Sequence, residues 1–248
     1  MKYCILTSNQ PRHEAFARFL SKNKKPVFIL KEEKKPFQKE KLEKEFLYFN
    51  NLEKEVDLKN IESFQVKNGE VNSEFVESLF VKYDVDVCCV FGTSILKRNI
   101  IKKEGISFVN IHTGLTQYYR GVDSCFWAIF DNQPEKVGVT IHKVALGIDN
   151  GKIIEQSKTD FKATDDLDQI FFKTCEEGFH LLSKNLENIP ALIENGHKLS
   201  KPNLGKLFNR RDMDKQVVKE LNLKYNKTLG NYFENKALRD SKVRIIKP

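Results

Sequence analysis

The chain has 248 residues, 40% hydrophobic and 31% charged, enough for one good-sized core and ordinary for a globular protein. No apolar run is long enough to cross a bilayer, and Met1-Lys-Tyr-Cys-Ile-Leu-Thr-Ser8 turns polar too soon for a secretory signal, so no membrane partner and a cytoplasmic location are expected. The formal charge of +8 is uneven: residues 198–248 hold 14 Lys/Arg against 5 Asp/Glu, so +9, and the remainder is near neutral at −1.

In chain order, residues 2–7 form a short apolar strand, and 11–21 a helix with Pro11 in its first turn and Ala15, Phe16, Phe19 and Leu20 on one face. Residues 26–30 read as a second strand and 31–50 as a Lys/Glu-rich amphipathic surface helix. Residues 61–66 suit an edge strand, followed by an Asn68-Gly69 turn and a helix over 73–82 capped by Ser73. The run 85–91, apolar but for Asp86, marks a strand covered on both faces. A short helix over 95–103 ends at Gly105, and 106–111 is again an apolar strand. Strand and helix thus alternate through residue 111, which predicts an α/β fold: a Rossmann-like parallel sheet flanked by crossover helices.

Beyond it the pattern changes. A loop over 112–121 and a helix over 122–130 precede two strands, 136–144 and 152–157, joined by Ala145-Leu-Gly-Ile-Asp-Asn-Gly151. One long helix spans 164–186, opened by Thr164, Asp165 and Asp166. A basic stretch over 207–214, a helix from 215 to about 221 and a polar tail complete the chain. The expected division is a catalytic unit over 1–190 and a small basic C-terminal extension over 191–248. The extension is either a solvated basic surface or a contact for an anionic partner.

Cys4, Cys88, Cys89, Cys125 and Cys175 are odd in number and include no Cys-x-x-Cys. They read as small core hydrophobes in a reducing compartment, Cys125 included, since it sits on an apolar helical face with Phe126, Trp127 and Phe130.

Ligands of open parallel sheets bind beyond the carboxyl ends of the strands. The strand 106–111 ends in Asn110-Ile-His112, and residues two apart on a strand share a face. Asp149 lies in the loop between two later strands and can fold over the same place. An amide that can hold a developing oxyanion, an imidazole that can move a proton and a carboxylate that can set the imidazole's tautomer suit acyl transfer. Taken alone, a strand-end Asn and His also serve as plain partners of neighbouring loops, and Asp149 as a turn carboxylate.

Five linked stretches resemble the formyltransferases that use N10-formyltetrahydrofolate: Asn110-Ile-His112, Tyr119-Arg-Gly121, the helix after it, Gly138-Val-Thr-Ile-His142 and Gly147-Ile-Asp149-Asn-Gly151. The likeness is tightest over residues 85–160 and looser back to residue 1. It implies that Asn110, His112 and Asp149 are catalytic, and that transfer needs no metal. It further implies that the pterin of the folate co-substrate lies against Phe91, Gly92, Thr93, Ser94, Ile95 and Leu96 and against Val144, Ala145, Leu146 and Gly147. Gly92 and Gly147 suit close backbone approach. Tyr119 and Arg120 are expected at the acceptor, Arg120 as a contact or as a loop fastener, whereas His142 and Trp127 read as structural. One departure is visible: many members follow Asn-x with His-Pro-Ser, and this chain has His112-Thr113-Gly114.

Three acceptor classes come with the resemblance. A purine-pathway enzyme would carry a glycine-rich loop after the first strand, where this chain has Thr7-Ser-Asn-Gln-Pro-Arg-His13. A methionyl-tRNA enzyme would add a C-terminal barrel of roughly a hundred residues, more than remains after the long helix. The sugar branch fits best: it often has Asn-x-x-Arg-His, as in Asn9-Gln-Pro-Arg12-His13, and Thr-Gly after the catalytic His. It also tends to have an aromatic–basic–Asp pattern, as in Leu207-Phe-Asn-Arg-Arg-Asp212. The expectation is an N-formyltransferase acting on a nucleotide-linked aminodeoxy sugar, dTDP-4-amino-4,6-dideoxyglucose by class, with Asn9 and Arg12 on the nucleotide sugar. Its product would enter a bacterial surface polysaccharide such as O-antigen or lipopolysaccharide. The alternatives are a methionyl-tRNA formyltransferase-like enzyme and a non-catalytic nucleotide- or RNA-binding protein on the same scaffold. Nucleic acid is not the expected partner, and a homodimer through the C-terminal part is expected.

Overall fold

The structure is a computed structural model that describes residues 1–35, 39–200 and 203–248. The alternating half folds as β1 (Tyr3–Ser8), α1 (Pro11–Ser21), β2 (Ile29–Glu32), α2 (Lys39–Phe49), β3 (Ser63–Val66), α3 (Glu74–Tyr83), β4 (Val87–Val90), α4 (Arg98–Ile101) and β5 (Ser107–His112). There follow β6 (Tyr119–Gly121), α5 (Ser124–Phe130), β7 (Gly138–Lys143), β8 (Ile153–Lys158), α6 (Leu167–Asn185), α7 (Ile189–Asn195), β9 (Lys206–Phe208), α8 (Lys215–Glu234) and α9 (Lys236–Asp240).

A seven-stranded sheet in the order β3-β2-β1-β4-β5-β7-β8 forms the centre. Its first five members pair in parallel, as the strand–helix alternation predicts. β7 and β8 then run antiparallel. On one face α1 and α6 pack against Ile5, Val109, Ile111, Val139 and Ile141, with Phe16, Phe172 and Phe179 filling the layer. Gly178 lets α6 come close: a Cβ there would lie 2.6 Å from the Ile111 side chain. On the other face Leu79, Phe80 and Ile100 cover Leu6, Cys88, Val90 and Phe108. All five cysteines are free and buried.

Several elements depart from expectation. β2 runs to Glu32, so Lys31 and Glu32 belong to the sheet, and the helix expected over 31–50 begins its described part at Lys39; residues 36–38 of that expectation lie outside the described residues. Ser73 stands at the α3 N-cap, but its backbone carbonyl and not its hydroxyl meets the first turn. The long helix is capped by Asp166, which exchanges hydrogen bonds with Gln169, rather than by Thr164. The loop expected over 112–121 contains β6, which pairs in parallel with β9. The last helix does not stop near Leu221 but continues to Glu234, because Leu221, Leu229 and Tyr232 lie on one face against Trp127, Ile129, Phe161 and Ile170. Two further segments, at His197 and at Ile246, lie along β8, where Ile153 exchanges backbone hydrogen bonds with His197 and the Gln156 N–H donates to the Ile246 carbonyl. No described helix is long and apolar enough to cross a membrane.

Candidate active site

Register builds the site. Val90, the last residue of β4, pairs with Asn110, so Asn110 and His112 stand at the carboxyl end of the parallel strands. On the other side Asn110 pairs with His142 and His112 with Thr140. Paired residues share a face, as do residues two apart. Asn110, His112, Thr140 and His142 therefore form a two-by-two polar block on the face opposite α6. Thr140 Oγ1 donates to the Gly114 carbonyl at 2.6 Å, tying down the chain just beyond His112.

Asp149 closes over this block. It sits at φ 47°, a left-handed conformation that Asp tolerates better than most residues. Its Oδ2 lies 3.2 Å from His112 Nδ1 and accepts from the Gly121 N–H at 2.8 Å, and its Oδ1 lies 3.4 Å from His142 Nε2. Burial would raise the Asp149 pKa, but the two imidazoles and the Gly121 N–H outweigh it and hold the carboxyl well below the usual carboxylate range. Burial pushes the His112 imidazole down, against the opposing pull of Asp149, with His142 and Arg120 adding to the depression. The resting pair is a carboxylate facing a neutral imidazole whose Nδ1–H donates to it. The other ring nitrogen, Nε2, lies 3.1 Å from the Tyr119 carbonyl and 3.2 Å from Ser124 Oγ.

His142, read from sequence as structural, is a member of the site. Its Nδ1 lies 2.9 Å from the Lys143 carbonyl, and its Nε2 lies 3.2 Å from the Asn110 amide nitrogen and 3.4 Å from Asp149 Oδ1. The signal that could have found it is the Thr-x-His spacing, once set in antiparallel register against Asn-x-His.

The two loops expected at a pterin converge on the second core through Leu96 and Val144. Gly92 and Gly147 both have positive φ, 78° and 107°. A Cβ at Gly92 would overlap the His13 imidazole, which is itself held by Ser8 Oγ at 2.6 Å. The Ser94 N–H donates to Glu32 Oε2 and the Gly69 N–H to Glu32 Oε1, each at 2.6 Å. Glu32 is fully buried and is a second residue missed from sequence, having been read as part of a surface helix. Thr93 Oγ1 donates to the Ser94 carbonyl, while Phe91 is buried against His13. Ile95 and Leu146 are exposed apolar side chains, one in each loop, and Ala145 lies half-buried between Val144 and Leu146.

The remaining expected residues are placed as follows. Tyr119 is buried and its hydroxyl is bonded to Asp131 and Gln133, so only its carbonyl reaches His112. Arg120 donates to the carbonyls of Gly205 and Ile148 and thus fastens the Asp149 loop to the C-terminal segment. Asn9 is exposed and accepts from the Lys34 N–H. Arg12 is paired with buried Glu45 at 2.6 Å. Cys125 is inert, its thiol pushed up to about 12 chiefly by burial.

The model of the formyl transferase family matches residues 2–186. The chain belongs to the formyl transferase family. Among sequence relatives, the methionyl-tRNA formyltransferase of Lachnospira eligens is 35% identical over 119 residues, which are 47% of this chain and 37% of the relative. The chain spans about two fifths of the length of such curated relatives. Among solved structures, a sugar N-formyltransferase from Shewanella sp. superposes with a TM-score of 0.59 at 18% identity, covering 86% of this chain and 78% of that one. The N-formyltransferase of Helicobacter canadensis, solved with folinic acid and dTDP-3-aminofucose, gives 0.56 at 20% identity, covering 86% and 72%. At these identities the likeness shows the fold: the formyl transferase sheet with its flanking helices.

Proposed function

We propose that this formyl transferase family member transfers a formyl group from N10-formyltetrahydrofolate to the amine of a nucleotide-linked aminodeoxy sugar. The observation that carries the transfer reading is the hydrogen-bonded cluster of Asn110, His112, His142 and Asp149 at the carboxyl end of the sheet. The folate supplies the activated one-carbon unit. Glycines at positive φ and the exposed apolar Ile95 and Leu146 fit a flat heterocycle that needs backbone partners at its edge and apolar cover on its face.

Each residue's part follows from its geometry. Asn110 holds its amide beside His142, and that amide can donate to the formyl oxygen as negative charge develops there. His112 is neutral at rest and is the base for the proton released by the attacking amine. Asp149 fixes the proton on Nδ1 and stabilises the imidazolium once it forms. The Tyr119 carbonyl at Nε2 favours the same charged state. The proton is then available to the departing nitrogen of the folate.

For the acceptor, the fold neighbour bound to dTDP-3-aminofucose supports a nucleotide sugar. Arg12 and Arg210 both lie close enough to act electrostatically on Lys34, which also sits beside Glu32, and such a grouping of cations suits a diphosphate. Formation of a bacterial surface polysaccharide precursor, dTDP-4-amino-4,6-dideoxyglucose as the specific acceptor, and a homodimer belong to this proposal. A second reading, formylation of methionyl-tRNA, is favoured by the sequence relatives. Incubation with N10-formyltetrahydrofolate and a panel of nucleotide amino sugars should give a product heavier by one formyl group. Formylated methionyl-tRNA as the sole product would replace the sugar reading with the second one.

A further inference from the structure

We propose that Ser124 is a positioning residue that holds His112 in its neutral form with the proton on Nδ1, donating its hydroxyl hydrogen to the Nε2 lone pair. Ser124 opens α5 directly after Asp123, whose left-handed φ of 57° turns the chain there. Its Oγ lies 3.2 Å from His112 Nε2, and both residues are buried.

The need for a donor at this point follows from what else surrounds the ring. Asp149, from the loop after β7, faces Nδ1; His142 on β7 and Arg120 on β6 add nearby charge or dipole; the Tyr119 carbonyl on β6 faces Nε2. With the proton held on Nδ1 by the carboxylate, a neutral His112 presents an Nε2 lone pair to a carbonyl lone pair at 3.1 Å. Moving the proton to Nε2 would satisfy that carbonyl but set a bare Nδ1 against an ionised Asp149. Among the described residues, the side-chain hydroxyl within hydrogen-bond reach of Nε2 is that of Ser124, and it can donate to the lone pair there.

Gly114 makes the contact possible. A Cβ there would lie 2.5 Å from Ser124 Cβ, 2.6 Å from His112 Nε2 and 2.8 Å from Ser124 Oγ. This is the position where the chain departs from His-Pro-Ser, so the space a serine at 114 would need is used by a hydroxyl delivered from α5.

The test is side-chain NMR of His112 in the full chain, comparing the parent with Ser124→Ala and Ser124→Thr. Loss of a hydrogen bond that favours the neutral ring should raise the His112 titration midpoint by about 0.5–1 pH unit in Ser124→Ala, and Ser124→Thr should restore it. The acid limb of kcat/KM should move by the same amount, with kcat at high pH changed less. An unchanged midpoint in Ser124→Ala, or a Ser124→Thr variant that behaves like the alanine, would overturn the proposal. The role rests on the formyl-transfer reading, but the titration is read without turnover, so the two fail separately.

Discussion

At the scale of single residues, the proposed reaction divides the work between His112 for the proton and Asn110 for the charge, and their losses should look different. Replacing His112 with Gln should lower kcat by about 10²–10⁴, the usual worth of a positioned acid–base group. Asn110→Ala should lower kcat by about 10²–10³ with little change in either KM, as expected for a donor used in the transition state; a change confined to KM would show a binding role instead. Both would be measured at saturating formyl donor. The pH dependence has a definite sign. Burial lowers the His112 pKa, so the neutral form that the proposed base requires persists below the ordinary value of about 6.5, and the acid limb of kcat/KM should lie under it. By the same linkage, the stability that depends on a neutral His112 is full above about 6.5 and is lost as pH falls through the lowered folded value. Asn110, His112 and Asp149 were legible because strand alternation and family spacing both single them out. His142 was not, since its role depends on which residue of β5 it faces, and that is a property of register.

Among elements, the parallel half was legible because apolar strands covered on both faces leave continuous hydrophobic runs, as Val87–Phe91 does. β6 and β9 were not, since three-residue strands joined across 84 residues of chain leave no local pattern. Glu32 was hidden by composition: a carboxylate in a Lys/Glu-rich run looks solvated, yet it accepts two loop N–H groups at the end of β2. Glu32→Gln retains one acceptor oxygen and sets an N–H₂ against one of those donors. It should loosen the loop 91–96 and raise KM for the folate several-fold more than KM for the amine acceptor. Equal rises in both would show general unfolding. Gly92→Ala should do worse, because positive φ and the His13 ring both oppose a Cβ.

For the molecule as a whole, the C-terminal segment is bound to the rest by an aromatic cluster that composition does not advertise. Trp127 stacks on Phe208 at 4.1 Å, and its indole N–H is buried without a partner among the described residues. Trp127→Ala should therefore cost about 3–5 kcal/mol, roughly 10 °C in Tm, whereas Trp127→Phe should cost little because it removes an unsatisfied donor along with the lost area. Thermal unfolding of the two variants checks this; equal losses would show that the N–H is bonded in solution. A different kind of consequence follows from the way β7 lies against β5. Each strand sends one set of side chains to α6 and the alternate set to the reacting side. A slip of one residue would leave the ladder able to pair while carrying His142 and Thr140 into the oily layer. The chain between 113 and 137 thus behaves as a ruler: an insertion there is harmless if absorbed in a turn, but one that propagates into the strand dismantles the chemistry without unravelling the sheet.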